Sequence, residues 1–180
     1  MTTSKTRYTI FRTRWGHFGF ACNDKGVCRS VLPSSEVEAV RKALRTSLEP
    51  SLPHVVFERD LARELQERIT AYFEGENVDF STDPAVDLTD RGPFERAVLD
   101  ACRRIPAGQA LTYAALAEKV GRPHAARAVG NALAANPIPL IVPCHRVIRT
   151  DGGLGGFSAP GGTATKQRLL MHERSLVNLK

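Results

Sequence analysis

The stretch TYAALAEKVGRPHAARAVGNALAANP, residues 112–137, decides how this chain is read. Thr112 is a residue type that caps helices, and Leu111, Ala115 and Leu116 supply one apolar face for a short helix through Val120. Gly121 turns the chain. Pro123 suits the first turn of a second helix, expected over about 123–135 and stopped at Asn136-Pro137. Helix, glycine turn, helix is the spacing of a helix-turn-helix. The second helix is almost bare of long side chains: Ala125, Ala126, Ala128, Gly130 and Ala132 surround a single cation, Arg127. Such a surface suits close packing on a neighbouring helix, or close approach to the narrow minor groove of DNA with little base-specific readout. The scarcity of long polar readers and the local positive charge favour the groove.

That charge is unevenly placed. Residues 1–90 hold 12 Lys/Arg and 14 Asp/Glu, whereas residues 91–180 hold 13 and 5. The net charge of +6 therefore belongs to the C-terminal half, which points to a polyanionic partner. Composition is that of a globular protein, 42% hydrophobic and 24% charged, and 180 residues suit one medium or two small domains. No apolar run reaches membrane-span length, and Met1 to Lys5 leads into Arg7, Arg12 and Arg14 without a secretory h-region. The expectation is a cytoplasmic protein, nucleoid-associated if prokaryotic, with Cys22, Cys28, Cys102 and Cys144 reduced. The five residues between Cys22 and Cys28 do not make a zinc-knuckle pair, and no metal site is expected.

Upstream, Tyr8–Phe11, Phe18–Cys22 and Val27–Leu32 read as short strands, with Asn23-Asp24-Lys25-Gly26 as a turn. Ser35 and Glu38 form a candidate capping box for a helix with Val37, Val40, Leu44 and Leu48 on its face. Leu52–Phe57 reads as strand or loop. Glu58–Phe73 reads as an amphipathic helix with Leu61, Leu65, Ile69 and Tyr72 on one stripe, ended at Gly75. The polar segment 76–92 coincides with the change in charge. The fold class is therefore α/β (α+β): a small N-terminal α/β domain with a short antiparallel sheet, residues 1–90 with the linker, then a mainly helical domain, residues 91–180, holding the helix-turn-helix. In the second domain a helix starts near Pro93 with Phe94, Val98 and Leu99 inward, and breaks at Ile105-Pro106-Ala107-Gly108. Leu140-Ile141-Val142 reads as a buried strand. Six glycines between 151 and 162 make a turning loop, and a last helix spans Ala164–Leu176 with Leu169, Leu170 and Leu176 inward.

Pro143-Cys144-His145 carries the chemistry. A buried core thiol is one reading of Cys144; a nucleophile is the other, favoured by the histidine, the proline and the glycine-rich loop. Chain neighbours rarely share a face, so His145 reaches Cys144 through a water, or the backbone turns there. A nucleophilic cysteine needs a lowered pKa and a proton acceptor, and the acceptor needs an orienting carboxylate. Of the five acidic residues in this half, Glu173 is best placed, on a helix able to fold back over the Cys144 segment.

From Ile105 to Glu173 the chain resembles the O6-alkylguanine-DNA alkyltransferase family. The matching blocks are Ile105-Pro106-x-Gly108, Thr112-Tyr113-x-x-Leu116-Ala117, Arg127 to Ala132, Asn136-Pro137, Pro143 to Ile148, Gly155-Gly156-Phe157, and Lys166 through Leu169-Leu170 to Glu173. The resemblance implies that Cys144 takes the alkyl group irreversibly, once per molecule, from O6-alkylguanine in double-stranded DNA, with O4-alkylthymine an open second substrate. His145 would act as base through a water, Glu173 would orient it, and Asn136 would brace the turns. Tyr113 would donate to the flipped base, the carbonyls of Cys144 and Val147 would accept from its amine, and the Ser158 backbone would donate to O6. Phe157 would wall the pocket, where many relatives carry Tyr. Arg127 would fill the gap left by the flipped nucleotide, while Ala126, Ala128, Gly130 and Thr112 would meet the minor groove. The resemblance implies no cofactor, and a monomer. The loop through Ser158-Ala159-Pro160-Gly161-Gly162 is longer than in some members, which leaves the preferred adduct size open.

Three rivals make different demands. A damage-binding protein without transfer would not need Cys144. A Cys-His thiol hydrolase would turn over and leave the basic half incidental. A helix-turn-helix regulator would want longer readers than Ala126, Ala128 and Gly130.

Overall fold

The structure, a computed structural model, describes residues 5–48 and 55–178. The expectations placed on Met1–Ser4 and on Leu52–His54 lie outside them. Two compact units form, one from the residues up to Val78 with Pro84–Asp87, the other from Asp79–Asp83 with the chain from Leu88 on.

In the first unit, β1 (Thr6–Thr13), β2 (Gly16–Asn23) and β3 (Gly26–Ser34) make an antiparallel meander. The Asn23 side chain accepts from the Lys25 amide at 2.9 Å, and Gly26 takes φ +137°, so the β2–β3 turn has the residues that it needs. After α1 (Val37–Leu48), β4 (Val55–Phe57) joins the far edge, parallel to β1, giving the order β3-β2-β1-β4. The strand or loop reading at Leu52–Phe57 thus resolves into a short parallel strand over 55–57. Val40, Leu44 and Leu48 of α1 pack on Tyr8, Ala21 and Cys28. The α2 helix (Arg63–Glu74) buries Leu65, Ile69, Tyr72 and Phe73, with the Phe73 and Phe18 rings 6.1 Å apart. It starts five residues later than periodicity suggests, because Ala62 sits at φ 45° and Leu61 turns back to the Glu58 carbonyl. At the start of α1 the Glu36 amide donates to Ser34 Oγ, one residue before the expected cap, and Glu38 pairs with Arg41 at 3.2 Å.

The second unit holds α3 (Pro93–Arg103), β5 (Leu111–Thr112), α4 (Tyr113–Lys119), α5 (Ala126–Ala134), a 3-10 turn at Cys144–Arg146, β6 (Val147–Ile148) and α6 (Gly162–Asn178). Pro93 opens α3, and the Glu95 carboxylate accepts from the Gly92 amide at 3.0 Å. Val98, Leu99 and Cys102 form its buried face. Thr112 caps α4 through Oγ1, which accepts from the Ala115 amide at 3.1 Å. The next helix begins at Ala126, not Pro123, because His124 takes φ 71° and holds the chain in a turn. Leu140–Val142 is buried as expected but is a turn, not a strand: Leu140 sits at φ 79° and the Val142 amide returns to the Ile138 carbonyl. Along α6 the buried stripe is Lys166, Leu169, Glu173 and Leu176, with Leu170 only partly covered. Among the described residues no helix is long and apolar enough to cross a membrane.

Candidate active site

Two short strands set the site. Leu111 pairs with Val147 and Thr112 with Ile148, in parallel, so the start of α4 lies beside the end of the Cys144 turn. Tyr113 follows β5 directly. Before β6, the Cys144 amide donates to Val142 O and the Arg146 amide to Pro143 O, both at 2.9 Å. This tight turn separates neighbouring side chains: Cys144 lines a cavity, while His145 reaches α6. The backbone does turn here, but it sends the two side chains to different partners, so the turn does not itself bring His145 to the Cys144 sulfur.

Behind the thiol runs a buried polar chain. His145 Nε2 lies 2.7 Å from Glu173 Oε1. Arg146 donates to both Glu173 oxygens at 2.9 Å and to the Ile105 carbonyl, and the Gly108 amide approaches Glu173 Oε2 at 3.4 Å. Gly108 is required there: at φ +77°, a Cβ would come within 2.5 Å of Val177. A carboxylate so engaged accepts from Nε2–H, which leaves His145 Nδ1 as a lone-pair acceptor. That nitrogen is buried and has no protein hydrogen-bond partner. Asn136 donates to Val142 O at 2.8 Å and accepts from the Ile138 amide at 3.0 Å, tying the end of α5 to the segment before Cys144.

The electrostatics follow from this burial. Burial raises the Cys144 pKa, against which a hydrogen bond from Asn136 and the positive charge of Lys166 pull it down. The resting group is a thiol that needs a base. Burial lowers the His145 pKa, opposed by Glu173, so the imidazole is neutral and able to accept a proton. Burial works against a charged Glu173, but the hydrogen bonds from His145 and Arg146, with the Arg146 charge, outweigh it and hold the carboxyl below its usual range. Arg146 is the permanent partner in that set. Tyr113 is raised by burial and then by the neighbouring thiols, so it stays a phenol and a donor.

The cavity holds about 980 Å³ and opens beside α5. Cys144, Tyr113, Ala126, Arg127, Gly130, Phe157 and Ser158 all line it. Ala128, exposed on the same helix, and Val147, fully buried, are not among the residues that line it. The Ser158 hydroxyl donates to the Ala134 carbonyl at 2.8 Å, pinning the glycine-rich loop to the end of α5. Gly155, at φ +71°, packs against Tyr113; a Cβ there would stand 2.7 Å from the phenol oxygen. Arg127 is exposed and has no ion pair or hydrogen bond among the described residues.

Three residues here carry no assigned role in the reading from sequence. Arg146 stood inside the Pro-Cys-His-Arg block without a role. Arg149 lines the cavity and pairs with Asp151 at 2.6 Å. Lys166, wholly buried, donates to Val147 O at 2.6 Å. A signal for Lys166 was present: a lysine at helical spacing with Leu169, Glu173 and Leu176 lies on an inward stripe. Among the described residues no group of three or more His, Cys, Asp or Glu could hold a metal ion.

A cysteine backed by histidine and carboxylate, on a cavity beside a helix pair, defines a protein that presents one thiol to a sizeable ligand. A family profile described as 6-O-methylguanine DNA methyltransferase, DNA binding domain, matches residues 93–175. The methylated-DNA–protein-cysteine methyltransferase of Salmonella typhimurium is 38% identical over 92% of this chain and 94% of its own. That of Mycobacterium bovis is 38% identical over 74% of this chain and 78% of its own. A crystal structure of Mycobacterium tuberculosis OGT in complex with DNA aligns with a TM-score of 0.76 at 31% identity, covering 94% of each chain. The chain belongs to the O6-alkylguanine-DNA alkyltransferase, or methylated-DNA–protein-cysteine methyltransferase, family.

Proposed function

We propose that this protein reverses O6-alkylguanine damage in double-stranded DNA by moving the alkyl group to Cys144 once per molecule. The observation that carries this reading is a buried thiol, open to the cavity, whose neighbour His145 is oriented by Glu173 and keeps a free Nδ1. The His145 Nδ1 takes the Cys144 proton through a water. The thiolate attacks the alkyl carbon as the carbon–O6 bond breaks, and the electron pair passes into the guanine ring. Tyr113 supplies a proton to a ring nitrogen, and the Ser158 amide donates to O6, so the base leaves as neutral guanine. The carbonyls of Cys144 and Val147 accept from the exocyclic amine, Phe157 walls the ring, and Asn136 holds the turns in place. The thioether that remains has no ready hydrolysis route, which makes the protein a stoichiometric reagent.

The target carbon is inaccessible inside a duplex, so the nucleotide must be flipped out. Arg127 fills the vacated stack from the minor groove, with Ala126, Ala128, Gly130 and Thr112 at the close approach. Residues 91–180 carry both DNA binding and transfer; the chain acts as a monomer in the cytoplasm, on the nucleoid where one exists. No cofactor takes part, because the damaged DNA is the alkyl donor. The test is incubation with duplex DNA carrying O6-methylguanine, followed by intact-protein mass and peptide mapping. One methyl on Cys144 in the wild type, and none in Cys144→Ala, is the expected result; unchanged protein mass beside intact lesion would overturn it.

A further inference from the structure

Lys166 lies in the buried stripe of α6 with its side chain fully out of solvent. Its ammonium has three protons and three acceptors: Val147 O at 2.6 Å, Gly156 O at 3.4 Å and the Tyr113 hydroxyl at 3.4 Å. It also stands 5.6 Å from the centre of the Tyr113 ring. No carboxylate among the described residues pairs with it. Glu173, two turns further along α6, is already engaged by Arg146 and His145. The groups coupled to its charge are Cys144 and His145 on the 3-10 turn and Cys102 on α3. A buried cation without a counter-ion is costly unless nearby groups become negative.

The reaction proposed above makes two such groups, and the inference rests on that reading. We propose that Lys166 is the positioning cation of the transfer step, stabilising negative charge first on the Cys144 sulfur and then on the Tyr113 oxygen. The geometry assigns a direction as well. Because the ammonium donates to the Tyr113 oxygen, the phenol must aim its own proton away from Lys166, toward the cavity. In the step itself, the sulfur–carbon bond forms, the carbon–O6 bond breaks, and the Tyr113 proton passes to the guanine ring. The phenolate left behind faces Lys166. The proton taken from Cys144 by His145 returns to it through solvent. The contact with Gly156 O, next to Gly155 and its close approach to Tyr113, fixes the loop at the distance this requires.

The test measures single-turnover methyl transfer from O6-methylguanine duplex between pH 6 and 9.5, on the full chain. Lys166→Met is expected to be slower at neutral pH by roughly tenfold or more, with the rising limb of its profile moved up by about one pH unit. Lys166→Arg, which keeps the charge, restores the position of the limb. Tyr113→Phe costs less in the Lys166→Met background than in the wild type, since one relay is removed by either change. A Lys166→Met protein with an unmoved limb, whether its rate is full or uniformly reduced, overturns the proposal. Should that variant not fold, the wild type still decides: the Lys166 side-chain NMR signal titrates at lower pH once Cys144 is methylated, and an unchanged titration overturns it. Wild-type protein that transfers no methyl sinks the repair reading itself, a result separate from either of these.

Discussion

Arg146 and Glu173 meet in a two-point pairing, with guanidinium nitrogens 2.9 Å from each carboxylate oxygen and side-chain exposures of 7% and 0%. Removing one partner from such a pair leaves the other charge buried and alone. Glu173→Gln is therefore expected to lose about 3–5 kcal/mol of stability, read by urea unfolding. Replacing both, as Arg146→Met with Glu173→Gln, should recover part of that loss but not the methyl transfer, because His145 remains without its orienting anion. Full transfer by a stable double variant would show that Glu173 serves folding alone.

The same cluster sets the acid side of the stability profile. His145 is folded with its pKa below the ordinary 6.5, because burial disfavours the imidazolium. Between those two values the unfolded chain binds more protons, so stability is complete above about 6.5 and falls as pH drops toward the folded pKa. Glu173 is also depressed, from 4.5, and its contribution is lost at still lower pH. Melting temperature should be level from pH 7 to 8 and decline below about 6.5, with a second decline below about 4.5. In His145→Gln the first decline should shrink. A profile that rises on acidification would contradict the neutral, buried imidazole.

Gly155 offers a test of the loop. A methyl group there meets the Tyr113 oxygen at 2.7 Å, on a backbone at φ +71°. Gly155→Ala should destabilise the protein by about 1–3 kcal/mol and displace the phenol. Transfer should slow by roughly tenfold or more, since small misplacements at a reacting group are costly. Gly156→Ala is the control for loop stiffness, as its Cβ would meet open space. Equal effects from both substitutions would locate the defect in the loop, not at Tyr113.

Arg127 offers the opposite case, a residue whose loss should leave the fold untouched. Exposed and unpaired, it should change stability by no more than about 0.5 kcal/mol when replaced by Ala. Transfer from duplex DNA should fall sharply, while any transfer from the free O6-methylguanine base should be unchanged. A parallel fall with the free base would mean that Arg127 acts on the pocket chemistry instead.

How far these features were legible in the sequence depends on how local their causes are. The β2–β3 turn, the Thr112 cap and the stop at Asn136-Pro137 follow from side chains beside the backbone that they shape. The late starts of α2 and α5 do not, because they depend on positive φ at Ala62 and His124, which neither residue type announces. Leu140–Val142 was rightly apolar but wrongly extended: burial, not strand pairing, asks for those side chains. In the site, the meeting of Glu173 with His145 was legible because a cysteine nucleophile at 144 calls for a base and an orienting anion. Arg146 and Lys166 were not assigned, since their roles come from contacts made across 27 and 53 positions, to Glu173 and Tyr113.

The unpaired state of Arg127 bears on search. A repair protein meets a vast excess of sound base pairs for each lesion. Had this guanidinium been latched to a carboxylate, every inspection would begin by breaking that latch. On the role proposed for Arg127, inspection would start from the conformation already present, and dwell time on sound DNA would follow salt-sensitive phosphate contacts. The time needed to find a lesion would then depend on how often the protein lands and moves along the duplex, with no Arg127 ion pair to break first.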